Sequence, residues 1–220
     1  IKVVVWENEF NYSKLNNFGV QFATGKYYIF LNNDVEMIGT DWILRLSGDC
    51  HRNKVGVAGV KLYYPDDTVQ HAGIVIGIGG SKRGIAANMF QGLPREEHGY
   101  QNRASLQADY SAVTAACMMV KKDVFDAVDG FTEKLQVAFN DVDFCLKVRK
   151  QGYLVMYDPK IEGYHYESKS RGAENTPEKV RRFQGEIDTF RVFWKDILKD
   201  GDPYYNCNFS LVSNQYLLGK

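Results

Sequence analysis

Asn32, Asn33 and Asp34 follow the apolar run Tyr27-Tyr28-Ile29-Phe30-Leu31 with nothing between. Two amides and a carboxylate at the end of a buried strand make an oxygen-rich donor set. In open α/β sheets, ligands sit just outside the carboxyl ends of strands. Carboxylate, amide and water oxygens are what Mg²⁺ and Mn²⁺ prefer. Asp34 is therefore a candidate for holding a divalent cation and the diphosphate it carries. The same residues also suit an Asx-turn, in which Asn and Asp bond their own backbone. Partners elsewhere in the chain must decide between the two.

A second constellation, Phe139-Asn140-Asp141-Val142-Asp143, puts two carboxylates at the mouth of a helix, where the macrodipole favours negative charge. Positions i and i+2 face apart on a helix, so Asp141 and Asp143 do different jobs. Lys147 lies four residues beyond Asp143, the spacing of an ordinary exposed ion pair. Asp141 is left to face a cleft as a general base, which near neutral pH needs a pKa raised by burial. A plain N-cap with an acidic first turn is the alternative. A third segment joins His165 and Glu167 to Ser168, Lys169, Ser170, Arg171 and Gly172. Lys169 and Arg171 suit a loop that closes on phosphate oxygens. His165 suits a nitrogen ligand or a proton donor to a leaving group.

Other patterns carry less. Gly77-Ile78-Gly79-Gly80 has Lys82 where a dinucleotide fingerprint needs its third glycine, and Gly80-Ser81-Lys82-Arg83 is not a P-loop. His71, in Gln70-His71-Ala72-Gly73, reads as a core or hairpin histidine. Ser111 and Ser168 lack the strand–turn–helix setting of a nucleophile elbow.

These groups must be placed by a soluble α/β domain. Of 220 residues, 45% are hydrophobic and 25% charged, with 27 basic residues balancing 27 acidic ones. No basic field argues for nucleic acid. The four scattered cysteines form no metal-like spacing and fit buried thiols in a reducing, cytoplasmic setting. No apolar run approaches the roughly 18 residues of a membrane span.

Along the chain, Ile1-Lys2-Val3-Val4-Val5-Trp6 reads as a strand, followed by a helix with Ser13 as N-cap and Leu15, Phe18 and Phe22 inside. The strand carrying the first motif comes next, then a helix from Thr40-Asp41. Residues 55–64 and 69–78 flank Pro65-Asp66-Asp67-Thr68 as a hairpin. Residues 79–109 form a long glycine-rich loop, and 111–120 a further strand. A helix spans 140–150, a strand runs from Tyr153 until Pro159 stops it, and a long helix spans 177–198. The organisation expected is one domain over 1–199 and a polar tail over 200–220.

Taken in order, these motifs resemble family 2 glycosyltransferases of the inverting GT-A type. Asn32-Asn33-Asp34 is similar to the family's D-x-D motif, with Asn for the first Asp, and Asn140-Asp141 to its Glu-Asp motif, with Asn for Glu. His165-Tyr166-Glu167-Ser168 with Ser170-Arg171-Gly172 resembles the H-x-E-S-x-S-R-G segment of bacterial rhamnosyl- or O-antigen-type transferases. Phe10-Asn11-Tyr12-Ser13, Gln70-His71-Ala72-Gly73 and Asp202-Pro203-Tyr204-Tyr205-Asn206 also look like that subgroup. The resemblance spans nearly the whole chain. It implies a GT-A-like, Rossmann-like mixed sheet flanked by helices, lacking the first strand–helix unit or units before Ile1. It implies Mg²⁺ or Mn²⁺ at Asp34 and His165, and a nucleotide-diphosphate sugar bound with help from Asn32, Asn33, Lys169 and Arg171. Asp141 would deprotonate the hydroxyl of a saccharide or lipid-linked acceptor, in polysaccharide synthesis at or near a membrane. A truncated domain that binds carbohydrate or a protein partner without catalysis is the alternative. A metal-dependent nucleotidyltransferase shares the metal chemistry but leaves Asp141 and the His165 segment without a role.

Overall fold

A computed structural model describes residues 2–79, 84–167 and 176–219. Residues 2–6 pair with no strand among the described residues, so the expected first strand does not form, and Val3 and Val5 stand exposed. Asn11, not Ser13, caps helix α1 (Tyr12–Val20), its side-chain oxygen accepting from the Lys14 N–H at 2.9 Å. Ser13 lies inside the helix and donates to the Leu135 carbonyl at 2.6 Å. Strand β1 (Tyr27–Leu31) ends on the Asn-Asn-Asp turn as expected, and a short unforeseen strand β2 (Val35–Ile38) follows. Helix α2 (Trp42–His51) buries Leu46 and Cys50, while Ile43 faces out.

The central strand is β3 (Val55–Tyr63), buried at every position because strands flank it and layers cover both faces. The hairpin's return arm divides into β4 (Val69–His71) and β5 (Ile74–Ile76). Gly73 makes the break: its φ is +89°, and a Cβ there would lie 2.5 Å from the Tyr110 ring. Only glycine accepts both constraints. β5 pairs with β6 (Ala86–Asn88) as a separate ribbon. The remaining strands are β7 (Ala108–Asp109), β8 (Cys117–Lys121) and β9 (Leu154–His165). The main sheet runs β1-β8-β3-β9-β2, with β4 beside β3 and β7 beside β9. Its one parallel pairing among the described residues is β3 with β9.

Pro159 does not stop the last strand. The register moves from Val60 opposite Asp158 to Lys61 opposite Glu162, so residues 159–161 form a bulge. A proline, which has no N–H to donate, costs no ladder bond there. β9 therefore runs on to His165, which pairs with Val35 of β2 at the sheet's end.

Helices α3 (Lys122–Ala127) and α4 (Asn140–Lys150) precede β9, and the left-handed Phe139 (φ 61°) turns the chain into α4. The expected long helix divides at Trp194 into α5 (Pro177–Phe193) and α6 (Lys195–Asp200). Asp143 is not an exposed ion-pair member. It is buried, accepts from the Trp194 indole N–H at 2.8 Å and stands 4.0 Å from Lys147, pinning the helix break onto α4. Residues beyond 200 enter the same core: Asp202 accepts from the Ile76 N–H at 2.7 Å, and Tyr205 and Tyr216 are buried.

Candidate active site

Asp34 and His165 are brought together by strand pairing. β2 begins right after Asp34, and Val35 faces His165 in the ladder. The Asp34 carbonyl also accepts from the Tyr166 N–H at 2.9 Å. As a result, Asp34 Oδ1 lies 3.2 Å from His165 Nε2, with both side chains largely shielded from solvent. The other ring nitrogen is committed elsewhere. Gln70 Oε1 lies 2.7 Å from His165 Nδ1, while Gln70 Nε2 donates to the His165 carbonyl and to Glu167, both at 3.3 Å. Two acceptors on the amide nitrogen orient the Gln70 amide, so its oxygen must receive Nδ1–H. Nε2 is then the nitrogen turned towards Asp34, with the Asn32 amide nitrogen 3.3 Å away.

This arrangement fits a divalent cation. Two neighbouring donors about 2.1 Å from an octahedral ion lie about 3 Å apart, close to the spacing seen. An imidazole whose far N–H is held by a fixed acceptor is the usual state of a metal-ligating histidine. Among the described residues no three His, Cys, Asp or Glu side chains converge. Asp34 and His165 would supply two donors to such an ion, with the rest of its sphere coming from oxygens of water or substrate. Asn33 is exposed beside them. Lys169 and Arg171 lie outside the described residues.

Asp141 opens α4. Its Oδ1 accepts from the Val142 N–H at 2.8 Å and its Oδ2 from the Ala115 N–H at 3.3 Å. Burial holds this carboxyl above the usual carboxylate range, opposed in part by the Val142 and Ala115 N–H groups and the Thr114 hydroxyl. Tyr12 stands close by, donating to the Ala115 carbonyl at 3.0 Å, and burial together with Asp141 raises its own pKa. The loop before α4 is clamped from two sides. Tyr12 N–H donates to Gln136, while buried Glu186 of α5 accepts from the Val137 and Ala138 N–H groups at 2.7 and 3.3 Å.

The stretch Thr114-Ala115-Ala116 joins the two halves. Ala116 accepts from the Asn32 N–H at 2.9 Å, the next residue back donates to Asp141, and the Thr114 N–H reaches Nε2 of buried His71 at 3.4 Å. His71 Nδ1 lies 2.6 Å from Asn88 Oδ1, and burial pushes its pKa down to about 4. His71 is therefore a core histidine, as expected, but one that braces the site. Gln70 and the 114–116 stretch were not singled out as site residues. Gln70 carries two sequence signals, its polar pairing with His71 in an otherwise apolar strand and its place in the Gln70-His71-Ala72-Gly73 segment of the resemblance, while 114–116 carries none.

The mixed sheet flanked by helices has the architecture of the GT-A glycosyltransferase fold. A solved structure of GalNAc-T7 with UDP, GalNAc and Mn²⁺ superposes with a TM-score of 0.65 at 14% identity, covering 90% of this chain and 38% of that one. No family model matches the chain. It is 45% identical over 219 residues to the uncharacterized protein y4gI of Sinorhizobium fredii (strain NBRC 101917 / NGR234), covering 99% of the chain and 24% of that protein. It is 32% identical over 211 residues to the O-antigen biosynthesis protein RfbC of Myxococcus xanthus, covering 96% of the chain and 16% of RfbC. The chain thus spans a quarter or less of these relatives. No helix among the described residues is long and apolar enough to cross a membrane.

Proposed function

We propose that the chain is the catalytic part of a metal-dependent, inverting glycosyltransferase of family 2, acting in bacterial surface-polysaccharide assembly. Its donor is a nucleotide-diphosphate sugar, and its acceptor a hydroxyl on a saccharide or lipid-linked saccharide. Asp34 and His165 hold Mn²⁺ or Mg²⁺, which when bound neutralises the departing diphosphate. Asn32 and Asn33 flank the diphosphate, and Lys169 and Arg171 are assigned to its oxygens. Asp141 takes the proton from the acceptor hydroxyl as that oxygen attacks the anomeric carbon. A single displacement by one base inverts that centre. The four cysteines are free thiols, three of them buried, which agrees with a cytoplasmic setting.

The observation that carries this reading is the Asp34–His165 pair with its ring nitrogen set by Gln70. The raised pKa of Asp141, bonded to the same stretch that holds Asn32, supports it. Support also comes from the Mn²⁺ and UDP in the GalNAc-T7 structure and from the likeness to RfbC, an O-antigen biosynthesis protein. The test is calorimetric titration of the full-length gene product with Mn²⁺, then with UDP, GDP and dTDP. At least one nucleotide should bind only with Mn²⁺ present, and Asp34→Asn should remove that dependence. Metal-independent binding unchanged in Asp34→Asn would exclude the assignment.

A further inference from the structure

Lys61 is the one buried lysine among the described residues. It sits on β3 opposite Glu162, with a side chain only 3% exposed. A buried ammonium is expected to be paired, because leaving water without a partner is costly. Among the described residues Lys61 makes no hydrogen bond or ion pair, and its Nζ lies 5.2 Å from the Tyr63 ring centroid. The stem of the side chain is packed away while the ammonium keeps contact with solvent in the cavity that it lines, so an anion entering there meets a cation without a protein partner.

The carboxylate that could have paired with it is already engaged. Glu162 accepts a short hydrogen bond from the Tyr63 hydroxyl and lies 3.4 Å from Arg95 Nη2. Arg95 is fixed in turn: its guanidinium lies 4.9 Å from the Tyr63 ring centroid and 5.8 Å from that of Tyr164, and it donates to the Tyr164 hydroxyl at 2.7 Å. Lys61 and Arg95 line a cavity of about 330 Å³ together with Tyr63, Glu162, Pro159 and, at its rim, Glu96, His98 and Ser105. That volume lies at the lower end of the roughly 300–1,000 Å³ of small-molecule sites. The His98 ring and the Ser105 hydroxyl are 2.8 Å apart at the mouth. Two cations, one of them without an ion-pair partner among the described residues, thus line an open recess together with Glu162, Glu96 and hydroxyl and imidazole groups.

We propose that this cavity is an oxyanion-binding site, in which Lys61 and Arg95 hold a carboxylate or phosphate group borne by a small ligand. Successive strand residues point to opposite faces. The recess, beside Glu162 and Tyr164, therefore lies across β9 from His165 and is separate from the metal pair. It needs neither metal nor nucleotide, so it stands independently of the glycosyltransferase reading. Desolvation lowers the Lys61 pKa against the attraction of Glu162, and an arriving anion would reverse that shift.

The experiment is calorimetric titration of the metal-free protein with inorganic phosphate, glucose 1-phosphate and glucuronate. The first two report a phosphate site and the last a carboxylate site. At least one should bind, and Lys61→Met should weaken it tenfold or more while Asp34→Asn leaves it unchanged. Should Lys61→Met fail to fold, lysines reductively methylated with ¹³C-formaldehyde give the same answer in the wild type, because the Lys61 dimethylamino resonance should move on titration. No binding by any of the three anions overturns the proposal. So does equal binding in Lys61→Met, or a Lys61 resonance that stays still while an anion binds.

Discussion

Gln70 and His165 are joined twice: Gln70 accepts from the ring N–H at 2.7 Å and donates to the same residue's carbonyl at 3.3 Å. One side chain therefore sets both the tautomer and the backbone position of the histidine that faces Asp34. Gln70→Leu keeps the volume but removes both bonds. Loss of such an outer partner typically weakens metal affinity 10–100-fold, and we expect that loss for Mn²⁺ by calorimetry. Gln70→Glu, which still accepts from Nδ1–H, should recover most of it. Equal Mn²⁺ affinity in wild type and Gln70→Leu would show that the ring does not bind metal through Nε2.

Asp141→Asn should keep Mn²⁺-dependent nucleotide binding and lose transfer by about 10²–10⁴-fold, the usual contribution of a positioned general base. Burial raises this carboxyl in the folded state, so the wild-type rate should climb with pH as the group ionises. The stability sign is opposite. A raised carboxyl stabilises the fold most when protonated, and that contribution is lost as pH rises through its folded value. Asp141→Asn should therefore be at least as stable as wild type at neutral pH in urea unfolding.

His71 gives the reverse acid limb. Its folded pKa is about 4, against about 6.5 in an unfolded chain, which corresponds to about 3 kcal/mol. A depressed histidine gives stability that is present above its unfolded value and is lost as pH falls from about 6.5 to about 4. Urea midpoints between pH 7 and pH 4.5 should drop steeply in wild type. They should flatten in His71→Gln, and a wild-type slope retained in His71→Gln would assign the acid limb to another group.

Glu186 tests the clamp on the base. Its carboxylate accepts from the N–H groups of Val137 and Ala138, two residues ahead of α4. Glu186→Ala leaves both donors short of partners and should cost about 1–3 kcal/mol. Glu186→Gln, which keeps one acceptor oxygen, should cost less. Thermal unfolding of the two variants separates these outcomes, and equal costs would show that the bonds do not carry the effect.

Much of this was legible in the residues. β1 and α4 fall where the apolar run and the Asn-Asp start placed them, because each has a sharp boundary: a polar triplet for β1, and Gly152 with φ +86° closing α4. That Asp34 and His165 share a site is an expectation of the family resemblance; the residues alone leave His165 as a nitrogen ligand or a proton donor, and their contact appears only in the β2–β9 pairing. What stayed hidden depends on tertiary pairing. Pro159 reads as a stop because a bulge is invisible without its partner strand. Asp143 looked exposed because its true partner, Trp194, lies 51 residues away. Asn11 and Ser13 both suit a cap, and Leu135 drew Ser13 inward. Gln70 could not be assigned until β4 was seen to pass beside the end of β9.

The bonds of Thr114, Ala115 and Ala116 have a further meaning. Asn32, beside the Asp34–His165 pair, and Asp141, the proposed base, hang from adjacent residues, and consecutive Cα atoms lie about 3.8 Å apart across a trans peptide. In the proposed reaction, spacing between the leaving-group side and the attacking side is thus gauged by a covalent link, which thermal motion stretches far less than any packed contact. Loop exchange elsewhere could retune the ligands this scaffold accepts while that gauge holds. Adding or removing a single residue between Tyr110 and Cys117 would put both halves out of step together.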